Sequence, residues 1–185
     1  MLEQEPGGEQ VGSHVAVDPG FRRAGMSHSA PTGVAVSIRS LGRGDLALFR
    51  AMNALFAAVF EDQASYGSAP ADDAYATALL ARSDSVFLLA MAGEVPVGAL
   101  AGYILPKYEQ ARSELYIYDL AVTKEWRRRG VATALIDETR RIARDVGAWT
   151  VFVQADTIPE DEPARLLYRK LASEEITALH FDIAP

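Results

Sequence analysis

Residues 115–155 contain two apolar strands separated by an amphipathic helix, and this order constrains the fold more than any other feature. The segments 115–122 and 149–155 each have the length and apolarity of a strand. Between them, apolar residues recur at helical spacing, at Val131, Leu135, Ile142 and Val146. Gly147 then supplies the residue type that commonly ends a helix in the left-handed conformation. A strand, a crossover helix and a second strand predict a parallel pair with a right-handed connection.

The segments before this unit predict antiparallel strands and two helices. Residues 34–39 form a short predicted strand. Residues 86–91 and 95–105 flank the Gly93-Glu94 pair, a connection of the length found in hairpins. A first helix is indicated by apolar residues at helical spacing, Phe49, Met52, Phe56 and Val59. A second, weaker helix is predicted for residues 72–81.

Two further elements complete the predicted fold. Pro163 suits the first turn of a helix, whose apolar face comprises Ala164, Leu167, Tyr168 and Leu171. The alternation of side chains over residues 176–183 predicts a closing strand. The fold class is therefore α/β (α+β), with a mixed, mostly antiparallel sheet that contains one central parallel strand pair and is flanked by helices.

The composition fits one globular domain. Of the 185 residues, 49% are apolar and 23% are charged, which is typical of a chain with a packed core. Residues 1–33 are rich in glycine and lack periodicity, so we expect a flexible extension there and a single domain over residues 34–185. The longest apolar run, residues 86–92, is far shorter than the about 20 residues of a membrane-spanning helix. Because the N-terminus is acidic and lacks a signal-peptide pattern, we expect a cytoplasmic protein.

Charge and residue usage exclude several kinds of site. The net charge of −7 argues against a general nucleic-acid or membrane surface. The absence of cysteine excludes disulfides, thiolate zinc sites and a cysteine nucleophile. The three histidines, His14, His28 and His180, are too scattered for a metal site. We therefore expect no metal, no nucleic acid and no membrane partner.

The densest basic segment, residues 124–133, lies where a strand leads into a predicted helix. Arg127, Arg128 and Arg129 run into Gly130. A helix N-terminus offers unpaired N–H groups and the positive end of the dipole, and glycine lets the backbone approach a ligand. The segment is either a solvated basic turn or a phosphate site. The phosphate site is favoured because positive side chains at the positive end of the helix dipole are unfavourable unless an anion binds there. The spacing matches neither the Walker lysine loop nor the three-glycine dinucleotide fingerprint.

The same segment contains the pattern Arg-x-x-Gly-x-Ala, in which the sequence resembles the GNAT acetyltransferase superfamily. Four segments around it are similar to the aminoglycoside 3-N-acetyltransferases of the gentamicin and fortimicin type: YIYDLAV (116–122), ATALI (132–136), VQAD (153–156) and HFDI (180–183). The similarity extends from about Phe56 to the C-terminus and implies a sheet with helices on both faces. The sequence departs from the family pattern at Ala172, where glycine is usual, and in a longer 157–162 loop.

The resemblance implies acetyl-CoA as the cosubstrate, without a metal. In the family, the glycine pattern binds the pyrophosphate of acetyl-CoA, and backbone groups of the preceding strand hold the pantetheine arm and polarise the thioester. The residues expected to bind acetyl-CoA here are Leu120, Ala121, Val122, Arg127, Arg128, Arg129, Gly130, Val131, Ala132 and Thr133.

Asp119 interrupts an apolar strand, and regular alternation places it on the same face as Ile117 and Ala121. Aspartate is disfavoured in strands and costly to bury without a partner. It either accepts a hydrogen bond within the core or acts as a general base, a task for which a buried carboxylate is suited. Asp156, at the end of the neighbouring strand, is the alternative base or a substrate anchor.

Tyr168 lies on the apolar face of the last predicted helix. On its own it is interpreted as a core aromatic residue whose hydroxyl lies at the edge. The resemblance implies a catalytic role, because GNAT enzymes often have a tyrosine on this helix that protonates the departing thiolate of CoA. The expected catalytic residues are therefore Asp119, Tyr168 and Asp156.

Acidic residues form two groups, each before a predicted helix. The first comprises Glu61, Asp62, Asp72 and Asp73. The second comprises Asp156, Glu160, Asp161 and Glu162. Such clusters are usually solvated loops, but both are expected at one end of the sheet, where they would attract a cationic amine and repel nucleic acid. The residues expected to contact the acceptor are Glu61, Asp62, Tyr118, Asp119, Asp156 and Asp161.

The resemblance implies an enzyme that transfers acetyl from acetyl-CoA to an aminoglycoside, at the 3-amino group, and so confers antibiotic resistance. Attack is expected to be direct, within a ternary complex, because the chain has neither a cysteine nor a Gly-x-Ser-x-Gly motif. The alternatives are acetylation of a polyamine or a protein amine, a noncatalytic acyl-CoA sensor, and an interaction domain that binds no CoA. A homodimer is expected because related enzymes often form one.

Overall fold

The computed structural model describes residues 35–185, so the extension expected over residues 1–33 lies outside the described part. The helices and strands, in chain order, are β1 (Val36–Ser40), α1 (Leu46–Phe60), α2 (Gln63–Tyr66), α3 (Asp73–Leu80), β2 (Ser85–Ala92), β3 (Val95–Pro106), β4 (Ser113–Val122), α4 (Val131–Asp145), β5 (Ala148–Val153) and α5 (Glu162–Leu171). Short 3₁₀ turns at Lys124–Trp126 and Pro159–Asp161 lead into α4 and α5. Helix α2 is an element that the sequence patterns did not predict.

The strands form one mixed sheet in the order β1-β2-β3-β4-β5. Pairs β1–β2, β2–β3 and β3–β4 are antiparallel, and β4–β5 is parallel. The predicted fold class is thereby confirmed. The parallel pair lies at one edge of the sheet rather than at its centre, because no strand within residues 35–185 pairs with the outer side of β5.

Helices cover both faces of the sheet, and each face has its own core. On one face, α1 contributes Phe49, Met52 and Phe56, which pack with Leu89 of β2. On the other face, residues of α4 such as Leu135 pack with side chains of β3 and β4. Each large apolar side chain that is fully buried contributes about 1.5–3 kcal/mol to the free energy of folding. The two cores fix the C-terminal end of β4 relative to the start of α4, and the candidate site lies between them.

A β-bulge in β4 changes the direction of Asp119. Ala101 of β3 is paired with Asp119, whereas the next residue, Gly102, is paired with Ile117, so Tyr118 is the extra residue. Asp119 therefore lies on the face of Ala121, and Ile117 lies in the opposite core. The prediction that Asp119 shares a face with Ile117 is wrong, because an inserted residue reverses the alternation beyond it.

The predicted closing strand over residues 176–183 is also not formed. Its large apolar side chains are 76% to 90% exposed: Ile176, Leu179, Phe181 and Ile183. Just before this segment, both carboxylate oxygens of Glu175 accept hydrogen bonds from Arg169, at 2.9 and 2.8 Å. These bonds hold the chain against the end of α5. Alternation is a local pattern and forms a strand only where a sheet edge is within reach in register.

The two longest helices, α1 and α4, have 15 residues each. A helix that crosses a bilayer needs about 20 apolar residues, and none of the helices within residues 35–185 has the length and apolarity for this. In the same part of the chain, no three His, Cys, Asp or Glu side chains are arranged to hold a metal ion.

Candidate functional site

The strands β4 and β5 separate at one end and leave a notch in the sheet. They pair from Ser113–Ala148 to Ile117–Val153, where β5 ends, while β4 continues to Val122. Across the described residues, no strand pairs with this outer edge of β4 beyond Ile117. The backbone of Leu120, Ala121 and Val122, which was expected to hold the pantetheine arm, belongs to the part of β4 that borders the notch.

Helix α4 begins with uncapped amides beside this notch. No side chain among the described residues caps its N-terminus, and its first turn contains no acidic residue. Two residues of the preceding loop are left-handed, Arg128 with φ 60° and Gly130 with φ 81°. A left-handed arginine is unusual, and such strain is commonly found at ligand sites. Unpaired N–H groups at the positive end of a helix dipole bind anions, so the loop has the geometry of a phosphate site.

The three arginines of this loop have different environments. Arg127 Nε donates a hydrogen bond to the carbonyl oxygen of Val122, at 3.1 Å. The guanidinium of Arg129 lies 5.3 Å from the ring centroid of Trp126, and the Arg128 side chain is exposed. Arg127 therefore ties the loop to the end of β4, while Arg128 and Arg129 are exposed to solvent and their contact with a phosphate group remains a prediction.

Asp119 is buried at the bulge, with only 4% of its surface exposed. Its Oδ2 accepts a hydrogen bond of 2.9 Å from the hydroxyl of Tyr66 on α2. The sequence patterns did not identify Tyr66, which lies in the acidic segment after α1. The signal present in the sequence is a single aromatic residue among polar ones, which is too weak to indicate a long-range partner.

The Asp119 carboxylate influences four tyrosines. Burial raises the pKa of Tyr66, Tyr103, Tyr118 and Tyr168, and in each case the negative charge of Asp119 raises it further. For Tyr103, the neighbouring Tyr118 raises the pKa more than Asp119 does. All four phenols therefore remain protonated near neutral pH and can act as hydrogen-bond donors.

Tyr168 lies on α5 beside a cleft of about 230 Å³ between α4, α5 and β5. Its hydroxyl is buried and has no hydrogen-bond partner among the described residues. Burial raises its pKa most, followed by the charges of Asp161 and Asp119. A buried hydroxyl without a partner is rare in folded proteins and often awaits a ligand atom. The cleft is otherwise lined mainly by apolar side chains, among them Ile117, Ile136 and Val151.

The two aspartates of the 156–161 loop differ in their surroundings. Asp161 is only 3% exposed, and its Oδ2 accepts a hydrogen bond of 3.1 Å from the backbone N–H of Asp156. Arg165 supports the same loop by donating to the carbonyl oxygens of Asp156 and Ile158. Asp161 therefore stabilises the loop through its carboxylate, and Asp156 is half-buried within the loop. Contact of either residue with an acceptor remains a prediction.

The first acidic group is divided between capping and exposed positions. Glu61 ends α1 in the left-handed conformation, with φ 57°. Asp62 caps α2 by accepting a hydrogen bond of 2.9 Å from Ser65 N, and Asp72 caps α3 in the same way. Asp73 pairs with Arg50 at 2.8 Å. We call residues 61–66, which comprise Glu61, Asp62 and helix α2, the acceptor loop, because Glu61 and Asp62 are among the residues expected to contact the acceptor.

A row of aromatic rings extends across the sheet from Asp119. Tyr103 and Tyr118 meet edge to face at 5.9 Å, and Tyr118 meets Tyr116 in the same way at 5.8 Å. Tyr116 stacks on Phe152 of β5 at 4.8 Å. The four rings are half-buried. Of these, only Tyr118 was expected at the site, because the row is formed by three strands and cannot be recognised in any one segment.

The profile of the acetyltransferase (GNAT) family matches residues 51–172. The crystal structure of an aminoglycoside acetyltransferase, HMB0005, from an uncultured soil metagenomic sample is 44% identical; the match covers 82% of this chain and 99% of that chain, with a TM-score of 0.79. A second, meta-AAC0020 from an uncultured soil metagenomic sample in complex with sisomicin, is 30% identical, with 80% and 97% coverage and a TM-score of 0.71.

A third solved structure is the ribosomal-protein-alanine N-acetyltransferase from Brucella melitensis biovar Abortus 2308. It is 25% identical, with 81% coverage of this chain, 99% coverage of that chain and a TM-score of 0.62. No curated protein matches the chain.

Proposed function

The chain belongs to the GNAT family of acetyltransferases, and we propose that it transfers the acetyl group of acetyl-CoA to an amine of an aminoglycoside antibiotic. The observation that carries this proposal is the uncapped N-terminus of α4, with left-handed Arg128 and Gly130, next to the end of β4, the strand that contains the buried Asp119. The proposal is supported by HMB0005 and by meta-AAC0020, which is in complex with sisomicin.

The residues on the donor side fit acetyl-CoA. The backbone amides of residues 130–133 and the side chains of Arg128 and Arg129 would bind the pyrophosphate. The edge of β4 at Leu120, Ala121 and Val122 would bind the pantetheine arm, although the Val122 carbonyl already accepts a bond from Arg127. The buried hydroxyl of Tyr168, without a partner in the described residues, would bind the thioester sulfur.

The residues on the acceptor side fit a cationic ring compound. Glu61 and Asp62 supply negative charge on the acceptor loop, and the net charge of −7 favours approach of a polycation. Half-buried tyrosine rings bind both the apolar faces of sugar rings and ammonium groups. The row from Tyr103 to Phe152 would therefore bind an aminoglycoside with one amine directed at Asp119.

The chemistry divides between Asp119 and Tyr168. An aliphatic amine with a pKa near about 10 is protonated at neutral pH and must lose a proton before it attacks. Asp119 would accept that proton, directly or through a water molecule, with Asp156 as the alternative base. As the C–N bond forms and the C–S bond breaks, Tyr168 would donate its proton to the departing sulfur.

The 3-amino group is the acetylated position that the sequence resemblance implies. The acetylated product of the reaction can be identified by NMR, which distinguishes an acetamide at position 3 from one at any other amine. Acetylation at position 3 of sisomicin supports the finer assignment. Acetylation at another amine would leave the enzyme an aminoglycoside acetyltransferase but would contradict the assigned position.

The test of the function is the release of free CoA thiol from acetyl-CoA with sisomicin, spermidine or an alanine-terminated peptide as acceptor. Fastest turnover with sisomicin is expected. Asp119→Asn and Tyr168→Phe should each lower kcat at least 100-fold and leave CoA affinity nearly unchanged. Turnover with the polyamine or the peptide alone would contradict the aminoglycoside assignment. CoA binding without any turnover would indicate a noncatalytic sensor instead.

A further inference from the structure

Tyr66, at the end of the short helix α2, donates a hydrogen bond to the carboxylate at the centre of the site. We propose that Tyr66 is a positioning residue for Asp119, which orients the carboxylate and stabilises the ionised form that accepts the amine proton. The inference rests on the proposed role of Asp119. Its basis is the bond of 2.9 Å between the Tyr66 hydroxyl and Asp119 Oδ2, which joins residues 53 positions apart in the chain.

The Tyr66 ring is held in place by aromatic neighbours from α1. Its centroid lies 5.6 Å from that of Phe56 and 5.7 Å from that of Phe60. Phe56 and Phe60 stack on each other at 5.5 Å, and Phe56 is only 1% exposed. A ring packed in this way has little rotational freedom left to lose, so its hydroxyl has a defined direction. This is the property that a positioning residue requires.

The Tyr66 hydroxyl remains protonated at neutral pH. Burial raises its pKa, and the negative charge of Asp119 raises it further. A neutral phenol that faces a carboxylate makes a charge-assisted hydrogen bond, which is stronger than a bond between neutral groups. The same bond favours the ionised form of the carboxylate, because protonation of Asp119 would weaken it.

The bond also connects the base to the acceptor loop. Asp62 caps α2 through Ser65 N, and Tyr66 is the last residue of that helix. The other side chains of α2 are exposed, so Tyr66 is the residue through which this helix packs on the rest of the protein. Any displacement of the loop by a bound acceptor would therefore move the hydroxyl that holds Asp119. The site is arranged so that the acceptor and the base influence each other.

The variant Tyr66→Phe removes the hydroxyl and keeps the ring. Loss of a hydrogen bond to a charged group should lower kcat for the aminoglycoside roughly 10- to 100-fold. The acid limb of the pH–rate profile should move to higher pH, because a carboxylate without this donor holds its proton more tightly. The KM for acetyl-CoA should change less than about twofold, since the hydroxyl bonds to Asp119 and not to the loop before α4.

The matched control is Tyr108→Phe, which makes the same chemical change at a fully exposed position. It should leave kcat, KM and the pH profile unchanged. A purely structural role of Tyr66 would lower the melting temperature and leave the acid limb of the surviving activity in place. That result, or a wild-type kcat and pH profile in Tyr66→Phe, would overturn the inference.

A titration without substrates separates this inference from the proposed function. The carboxyl carbon NMR resonance of Asp119 should titrate at higher pH in Tyr66→Phe than in the wild type. If it does so and the wild type acetylates no aminoglycoside, the aminoglycoside assignment is wrong, while the effect of Tyr66 on the ionisation of Asp119 stands. An identical titration in both proteins would overturn the inference even if the enzyme is active.

A second variant is available should Tyr66→Phe fail to fold. In Asp119→Asn the Tyr66 hydroxyl no longer faces a charged acceptor, so its hydroxyl proton resonance, shifted downfield by the charge-assisted bond in the wild type, should move upfield. An unchanged Tyr66 hydroxyl resonance in Asp119→Asn would overturn the inference, because it would show that the two groups do not interact.

Discussion

Val131, the first residue of α4, lies directly over Gly98 of β3. A Cβ atom on Gly98 would lie 2.9 Å from Val131 Cγ1 and 3.2 Å from the carbonyl oxygen of Ala121. The start of α4 is therefore in contact with the sheet where β4 extends beyond β5. This contact fixes the uncapped amides of α4 relative to the end of β4, at the place where we propose that the pyrophosphate of acetyl-CoA binds.

The variant Gly98→Ala should displace the start of α4. Because Val131 has a short, stiff side chain and the Ala121 contact is backbone, the added methyl group should lower the free energy of unfolding by about 1–3 kcal/mol. It should also weaken CoA binding, measured by calorimetry. Gly44→Ala is the matched control, since a Cβ there has no neighbour within 4 Å. Wild-type stability and CoA affinity in Gly98→Ala would contradict the described packing.

Arg128 should combine backbone strain with a role in binding. Its left-handed conformation, with φ 60°, is unfavourable by about 1–2 kcal/mol for a residue with a Cβ atom. Arg128→Ala removes the charge and keeps the strain, whereas Arg128→Gly removes both. Both variants should bind CoA more weakly to a similar degree, and the glycine variant should have the higher free energy of unfolding in denaturant titrations. Equal stability of the two would argue against strain at this position.

Tyr168 should make stability depend on alkaline pH. Burial raises its pKa above the ordinary value near about 10, and the charges of Asp161 and Asp119 raise it further. The folded state favours the neutral phenol. The contribution of Tyr168 to the free energy of unfolding is therefore complete below about pH 10 and is lost as pH rises from there through the folded-state pKa. Between neutral pH and about pH 11, the free energy of unfolding should fall by roughly 1 kcal/mol less in Tyr168→Phe than in the wild type. Parallel losses in both proteins would contradict this prediction.

Asp161 and Asp156 should affect different properties. Asp161→Ala leaves the backbone N–H of Asp156 without its acceptor and should lower the free energy of unfolding by about 1–3 kcal/mol. Asp161→Asn keeps an acceptor oxygen and should be less destabilising. Asp156→Ala should change stability by less than about 1 kcal/mol and raise the KM for the acceptor. A large stability loss in Asp156→Ala, without an effect on KM, would show that it too is only structural.

Most of the secondary structure could be predicted because it depends on local patterns. Apolar residues at helical spacing identified α1 and α4, and the Gly93-Glu94 pair identified the hairpin between β2 and β3. The basic segment of residues 124–133 is predictable for a similar reason, since a run of arginines at a helix start is contained within a few residues. Gly147 ends α4 in the expected left-handed conformation, with φ 70°.

The surroundings of Asp119 could not be predicted in the same way. Its direction depends on the extra residue Tyr118, and a bulge is set by how two strands pair rather than by the sequence of one strand. Its partner Tyr66 is brought to it by the packing of α1 and α2, and the aromatic row from Tyr103 to Phe152 needs three strands in register. None of these relationships is present in a single segment.

The sequence alone determined four of the helices, α1, α3, α4 and α5, and the five strands, and it determined that the sheet is mixed and that a basic loop precedes α4. Those properties follow from side-chain periodicity and from turn residues, which act over a few positions. Only the tertiary structure decided that Asp119 faces Tyr66 and that residues 176–183 form no strand. Both outcomes depend on contacts between distant segments, where strand register and ring packing select one arrangement among several that the local pattern allows.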